Sequence, residues 1–333
     1  MTRITVPVLA PEFPSDVIWL QGGPLAMHDL RGRPVLIDFW DYTCVNCLRT
    51  LPYLKEWHAR YAPHGLAIIG VHAPEFAFAR EHGYVARAVK DLGIEYPVVL
   101  DNSHAIWDAY ANRYWPAKYL VGKDGYVCAY HFGEGAYDEV ESQIQSLIKE
   151  ASPDAELPQV MPPMREEDRP GAVCYRGTPE LYLGYARGRV GNGDVFSDKA
   201  TRYREELVEK DGHAYLAGEW LLGKESLSRP SGAAGESRLY LRYEAKEVNL
   251  VAYPPPQPGR IDVMQDGHAL PAEDAGADVR FEDGRSVLIV DQPRMYMPVN
   301  NRAFGTHDLS LSTTSDGIAL YALTFVTCAA ESA

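Results

Sequence analysis

The stretch VLIDFWDYTCVNCLRTLP, residues Val35 to Pro52, places two cysteines three positions apart at the junction of two differently patterned segments. Val35 to Trp40 is a short, nearly unbroken apolar run, which fits a strand buried on both faces of a sheet. After it, Leu48, Leu51, Leu54, Trp57 and Tyr61 recur at three- and four-residue spacing, so a helix can dock one apolar stripe back onto that sheet. Cys44 therefore falls in the strand-to-helix turn, where unpaired backbone N–H groups and the positive end of the helix dipole favour thiolate over thiol. In Cys-x-x-Cys sites such a placement brings the thiol pKa from about 8.5 to between roughly 3.5 and 7.5. Cys47, one helical turn later, is placed to attack a mixed disulfide at Cys44 and release the substrate by ring closure. Asp38 interrupts the apolar strand, where burial raises a carboxyl pKa and makes it a candidate acceptor for the Cys47 proton. Pro52 removes one hydrogen bond inside the helix and is expected to kink it.

The same cysteine spacing supplies half of many zinc sites, which need two further ligands. The nearest candidates, Cys128 and His131, lie in an expected strand, Tyr126 to Phe132, where residues three apart point to opposite faces. No metal is expected.

Upstream, Pro11 to Leu30 carries a strand-turn-strand signal around Gln21-Gly22-Gly23-Pro24. Downstream, Leu66 to His72 reads as a second buried strand, Phe78 to Leu92 as a helix and Pro97 to Leu100 as a third strand. Ser103 to Tyr110 reads as a short helix capped by Ser103. Lys118 to Val121 and Tyr126 to Phe132 form a hairpin across Gly122-Lys123-Asp124-Gly125, and Val140, Ile144, Leu147 and Ile148 mark a closing amphipathic helix. This order predicts a mostly parallel sheet with an antiparallel hairpin at one side and its chemistry at the carboxyl ends of the strands. His72, Glu75 and Glu134 follow strand ends and, with Trp40, are candidates for the rim of the site.

Asp38, Trp40, Cys44, Cys47 and Pro52 fall at the spacing of the thioredoxin superfamily, which this stretch resembles. Trp115-Pro116, before the strand Lys118 to Val121, stands where such proteins carry a cis-proline, and an X-Pro bond is the one kind in which cis is cheap. The resemblance implies that Pro116 packs against the sulfurs and excludes metal while the backbone of Trp115 pairs with an incoming peptide. It also implies that Thr43, Val45 and Asn46 face the substrate; Thr43 replaces the usual tryptophan, and Val45-Asn46, which tunes the potential, replaces Gly-Pro. The extra helix-strand segment and the N-terminal hairpin resemble the TlpA-like and redoxin branch. Peroxiredoxins share that branch, but their reactive cysteine follows a threonine by three positions, whereas Thr43 directly precedes Cys44.

With 333 residues, 46% of them hydrophobic, the chain has material for about two domains. A net charge of -14 argues against a nucleic-acid partner, since phosphate binding needs a basic face. No apolar run approaches the roughly 18 residues of a spanning helix, and the first twenty residues lack the apolar core of a signal peptide, so a cytoplasmic location is expected. Cys128, Cys174 and Cys328 are scattered, and each reads as a small buried apolar residue.

Residues 1–150 thus form one domain, and 151–173, ASPDAELPQVMPPMREEDRPGAV, an extended proline-rich linker. Residues 174–333 carry short β-rich runs separated by turns such as Gln265-Asp266-Gly267 and Ser315-Asp316-Gly317, which indicates an antiparallel sandwich. YTCVNCLRTLPYL, GVHAPEFAFAR and NRYWPAKYLV, with TPELYLGYARG, YLAGEW and HDLSL, resemble the soluble region of the DipZ family. There a thioredoxin-like domain precedes a jelly roll similar to carbohydrate-binding modules. That resemblance implies thiol-disulfide exchange with protein disulfide or dithiol partners, electrons from a membrane donor protein, and a place outside the cytoplasmic membrane. It implies no cofactor beyond a redox-active Cys44–Cys47 disulfide. Tyr182, Tyr185, Trp220, Tyr240, Tyr243 and Tyr296 are the candidate sugar-stacking faces, and a glycan-binding or protein-binding adaptor is the non-enzymatic alternative.

Overall fold

The computed structural model describes residues 1–329 and divides into two compact units, Met1–Asp168 and Arg169–Ala333. In the first unit the strands are β1 (Thr2–Leu9), β2 (Ile18–Gln21), β3 (Val35–Trp40), β4 (Ala67–His72), β5 (Val98–Leu100), β6 (Ala117–Val121) and β7 (Tyr126–Phe132). Helices α1 (Val45–Tyr61), α2 (His82–Asp91), α3 (Ala105–Ala109) and α4 (Tyr137–Ala151) connect or follow them. The sheet order is β1-β7-β6-β3-β4-β5-β2.

β3 lies at the centre and every one of its residues is buried, which is why its sequence lacks the alternation of a half-exposed strand. Leu36 and Trp40 point into one apolar cluster with Leu51, Trp57, Ile144 and Ile148 of α1 and α4. Val35, Ile37 and Phe39 point into the opposite cluster with Trp107, Tyr110 and Tyr119. Each such side chain contributes about 1.5–3 kcal/mol on burial. α1 runs through Pro52 as one helix.

The expected fold class stands, with local differences. Only β3–β4 and β4–β5 pair in parallel; β6, β7, β1 and β2 pair antiparallel, so the sheet is mixed, not mostly parallel. The strand-turn-strand expected within Pro11–Leu30 keeps only its first arm, β2, which pairs with β5; past the turn, Met27–Leu30 is a short 3-10 helix. Ser103 does not cap α3; the Asp101 carboxylate accepts the amides of Ile106 at 3.1 Å and Trp107 at 2.7 Å. The β6–β7 turn closes as expected, with Gly125 at φ +87°. The residues after α4 pack back on the unit: the Met161 amide donates to Glu141 at 3.0 Å, and the Met164 amide and the Asp168 carboxylate both engage the Tyr53 hydroxyl at 2.7 Å. No helix among the described residues is long and apolar enough to cross a membrane.

Among the described residues, the second unit joins eleven strands through antiparallel pairings around an apolar core. Two strands dominate, Ser237–Tyr253 and Arg294–Thr313, both longer than the short β-rich runs expected. They are continuous because the gaps are β-bulges, one between Ala245 and Glu247, which bend a strand without ending it. Trp220, Tyr240, Tyr243 and Tyr296 are buried in this unit, and the Arg187 guanidinium covers the Tyr182 ring at 3.7 Å. Most of the expected sugar-stacking faces are therefore taken.

Cys174 and Cys328 are not isolated apolar residues: they are register partners of two short antiparallel strands and form a disulfide. The bridge spans a sequence separation of 154 and ties the beginning of the unit to its last described strand. Replacing both residues by serine, or adding dithiothreitol, is expected to lower the stability of this unit by about 2–4 kcal/mol, read as a lower urea midpoint of the full-length chain. Equal midpoints with and without reductant would show that the bridge does not constrain the unfolded chain.

Candidate active site

β3 ends at Trp40 and α1 begins at Val45, so the loop between them is four residues long and its last member, Cys44, is the helix N-cap. Cys44 has extended backbone angles, φ −87° and ψ 111°, and its sulfur accepts the Cys47 amide at 3.2 Å. That bond satisfies one of the orphan donors of the first helical turn. Cys44 is half-buried, Cys47 fully buried, and both are free thiols.

Three loops converge here. In the first, Asp41 Oδ1 accepts the Thr43 amide at 2.7 Å and the Thr43 hydroxyl at 2.9 Å. The second follows β4, where the Glu75 amide donates to Asp41 Oδ2 at 2.6 Å. The third carries the Trp115–Pro116 peptide, which is cis, and Trp115 Nε1 donates to the Ala73 carbonyl at 2.9 Å. Beneath them, Asp38 on β3 is the register partner of Lys118 on β6, and both are buried with Lys118 Nζ 3.5 Å from Asp38 Oδ1.

The structure thus gathers Cys44, Cys47, Asp38, Glu75 and Trp115, and Pro116 follows Trp115 across the cis peptide. Thr43 and Val45 are buried, which leaves Asn46, half-buried, as the more accessible of the two residues between the cysteines. Trp40 and His72 are not rim residues, because both are fully buried: His72 packs edge-on to Trp40 and stacks with Tyr42. Glu134 is held by Arg49 at 3.4 Å and Arg165 at 3.1 Å. Cys128 donates to the Tyr126 carbonyl and His131 contacts the Glu134 carbonyl. Sequence reasoning passed over Lys118 and Asp41. Lys118 had a signal, a lone cation in the apolar run Ala117–Val121, the counterpart of Asp38 in β3.

Comparison with known proteins bears on this arrangement. The AhpC/TSA family model matches residues 8–130, and the model described as thioredoxin-like C-terminal domain matches residues 178–325. Its first domain is a thioredoxin-like domain of the AhpC/TSA family. Protein DipZ of Mycobacterium tuberculosis is 36% identical over 262 residues, 78% of this chain and 36% of DipZ, so the chain spans about a third of that relative. Thiol-disulfide oxidoreductase ResA of Bacillus cereus is 29% identical over 140 residues, 42% of this chain and 78% of ResA. The solution structure of a thioredoxin-like protein in the oxidized form is 26% identical and covers 44% of this chain and 99% of its own, with a TM-score of 0.41.

Within this thioredoxin-like domain, electrostatics ranks the two sulfurs. Burial pushes the Cys44 thiol above its ordinary value; a hydrogen bond from Cys47 opposes the rise, and the carboxylates of Glu75 and Asp41 add to it. The expected depression by the helix end is therefore outweighed. Burial pushes Cys47 much higher, and the neighbouring Cys44 and Asp38 charges reinforce it. The first thiolate forms at Cys44 while Cys47 keeps its proton. Burial also raises Asp38, to about 6, with the Lys118 ammonium limiting the rise. Brief alkylation of the native protein at pH 8, followed by peptide mass spectrometry, is expected to label Cys44 well before Cys47. Equal labelling would contradict the ranking.

Proposed function

We propose that this chain is a thiol-disulfide oxidoreductase that reduces disulfides in protein substrates. The observation that carries the proposal is the sulfur pair: Cys44 caps α1 and is partly open to solvent, and Cys47 lies one turn inside, above a buried carboxylate. The Cys44 thiolate attacks one sulfur of the substrate disulfide, forming a Cys44–substrate bond and expelling one substrate thiolate. Asp38 takes the Cys47 proton, Cys47 attacks Cys44, and the second substrate sulfur leaves as the Cys44–Cys47 disulfide closes. Two electrons pass to the substrate, and a two-electron donor must restore the dithiol. The family resemblance points to a membrane-borne donor.

The raised thiol pKa values support the reducing direction. Strong oxidants of this class owe their potential to a stabilised thiolate in the reduced form, as in DsbA at about −120 mV, against about −270 mV for thioredoxin. A dithiol whose sulfurs resist ionisation lacks that stabilisation, so the Cys44/Cys47 couple is expected to be more reducing than a strong oxidant of this class. The Cys174–Cys328 disulfide supports a compartment outside the reducing cytosol, in line with the family resemblance.

Insulin reduction tests the activity, which Cys44→Ser is expected to abolish; unchanged turnover in that variant would leave only an adaptor reading. In single-turnover release from Cys44, the rate is expected to rise with pH through about 6, because Asp38 accepts a proton only as carboxylate. Asp38→Asn should remove that inflection and slow release about a hundredfold at pH 7. An unaltered profile would exclude Asp38 as the base.

A further inference from the structure

Tyr96 is fully buried and takes no part in the steps above, yet its ring reaches the strand beside Asp38. Across the sheet, Lys118 of β6, Asp38 of β3, Gly70 of β4 and Val98 of β5 form one register row. Side chains alternate along a strand, and Leu36, Trp40, Ile68, Val98 and Leu120 all belong to the cluster that holds Cys47 and Tyr96. Asp38, Lys118 and the bare face of Gly70 therefore point to one side of the sheet, beneath Cys47. Gly70 has ordinary strand geometry, so its glycine supplies close approach and not backbone freedom. A Cβ there would stand 3.0 Å from Trp40 Nε1 and 3.1 Å from Tyr96 Cε2. The edge of the Tyr96 ring and the indole nitrogen of Trp40 thus meet over Gly70, one strand spacing, about 4.8 Å, from Asp38.

Both Asp38 oxygens, Lys118 Nζ, Trp40 Nε1 and the Tyr96 hydroxyl are buried and form no hydrogen bond among the described residues. Buried polar groups are rarely left so, and polar groups just beyond bonding distance are commonly bridged by an internal water with about two to four such partners. Burial pushes the Tyr96 hydroxyl far above its ordinary value, and the charges of Asp38 and Cys47 add to the rise, so it keeps its proton and faces the carboxylate as a donor. We propose that Tyr96 is a positioning residue for Asp38: its hydroxyl, through one internal water, donates to the carboxylate and so governs when Asp38 takes the Cys47 proton. The groups facing Asp38 are Lys118 from β6, Cys47 from α1 and Tyr96 from the turn before β5. Those facing Tyr96 are Asp38, Cys47 and the His58 ring of α1, edge-on at 5.9 Å.

This role rests on Asp38 being the base, whereas its test needs no substrate. The carboxyl stretch of Asp38 in the reduced full-length chain is followed against pH by infrared spectroscopy, and subtraction of the Asp38→Asn spectrum assigns it. Tyr96→Phe removes the hydroxyl and keeps the ring that packs in the core. Loss of a donor disfavours the carboxylate, so the Asp38 midpoint is expected to rise by on the order of one pH unit in this variant. An unchanged or lowered midpoint overturns the proposal, because a ring that only fills space is the same in both chains and Lys118 is present in both. If the midpoint rises while the inflection in mixed-disulfide release stays at its parent value, Asp38 is not the base, and the link between Tyr96 and the carboxyl stands. Loss of insulin reduction with the shift intact would likewise count against the proposed activity and not against Tyr96.

Discussion

The sulfur of Cys44 does two jobs. It accepts the Cys47 amide at 3.2 Å and so completes the first turn of α1, and it is the atom that must attack a substrate. A helix terminus offers partial positive charge worth typically 0.3–1 kcal/mol to an anion near the surface. Here desolvation and two carboxylates, Glu75 and Asp41, oppose that gain. The surroundings of the sulfur, and not the dipole alone, poise the nucleophile. Geometry keeps the sulfur at the helix mouth, and the balance of buried charge decides when it ionises.

Burial does the same beneath Cys47. Asp38 and Lys118 face each other across β3 and β6, deep in a sheet whose neighbours are apolar. Neither charge is cheap there alone, and together they leave a carboxyl that changes state near pH 6, within reach of physiological conditions. The disulfide chemistry needs a base that can be both loaded and unloaded. An aspartate fully stabilised by its partner would stay ionised and accept protons poorly, whereas one with no partner would stay protonated.

The cysteine turn was legible in sequence because its cause is local: an apolar run, a four-residue loop and an amphipathic helix. Asp38 was legible as an anomaly, a charge where the pattern demands none. Lys118, its partner, depended on the register of β6 against β3, 80 positions apart in the chain, and periodicity does not carry register. His72 looked like a rim residue because it ends a strand, but Tyr42 and Trp40 close over it. The N-terminal hairpin failed because the segment past its turn buries Met27 and Leu30, three positions apart, on one side of a short 3-10 helix, a spacing that is helical and not the alternation of a strand. In the second unit the turns were read well, but bulges within two long strands resembled loops. Aromatic residues that suggested a sugar surface turned inward, since alternation along a strand does not say which face is the core.

Two sulfur pairs in one chain stand in opposite states, and the chain topology explains how both can persist. Cys44 and Cys47 are three residues apart within a helix that is already formed, so closing or opening their bond changes little about the fold. Cys174 and Cys328 close a loop with a sequence separation of 154, and whatever stability that bridge lends the fold, the fold lends back to the bridge. Stabilisation of about 2–4 kcal/mol corresponds to roughly 40–90 mV for a two-electron couple. An environment that keeps Cys44 and Cys47 reduced can then leave Cys174–Cys328 closed. The same linkage sets a bound on the first domain, because a dithiol that drove its potential far below that of the structural bridge would become a reductant for its own second unit.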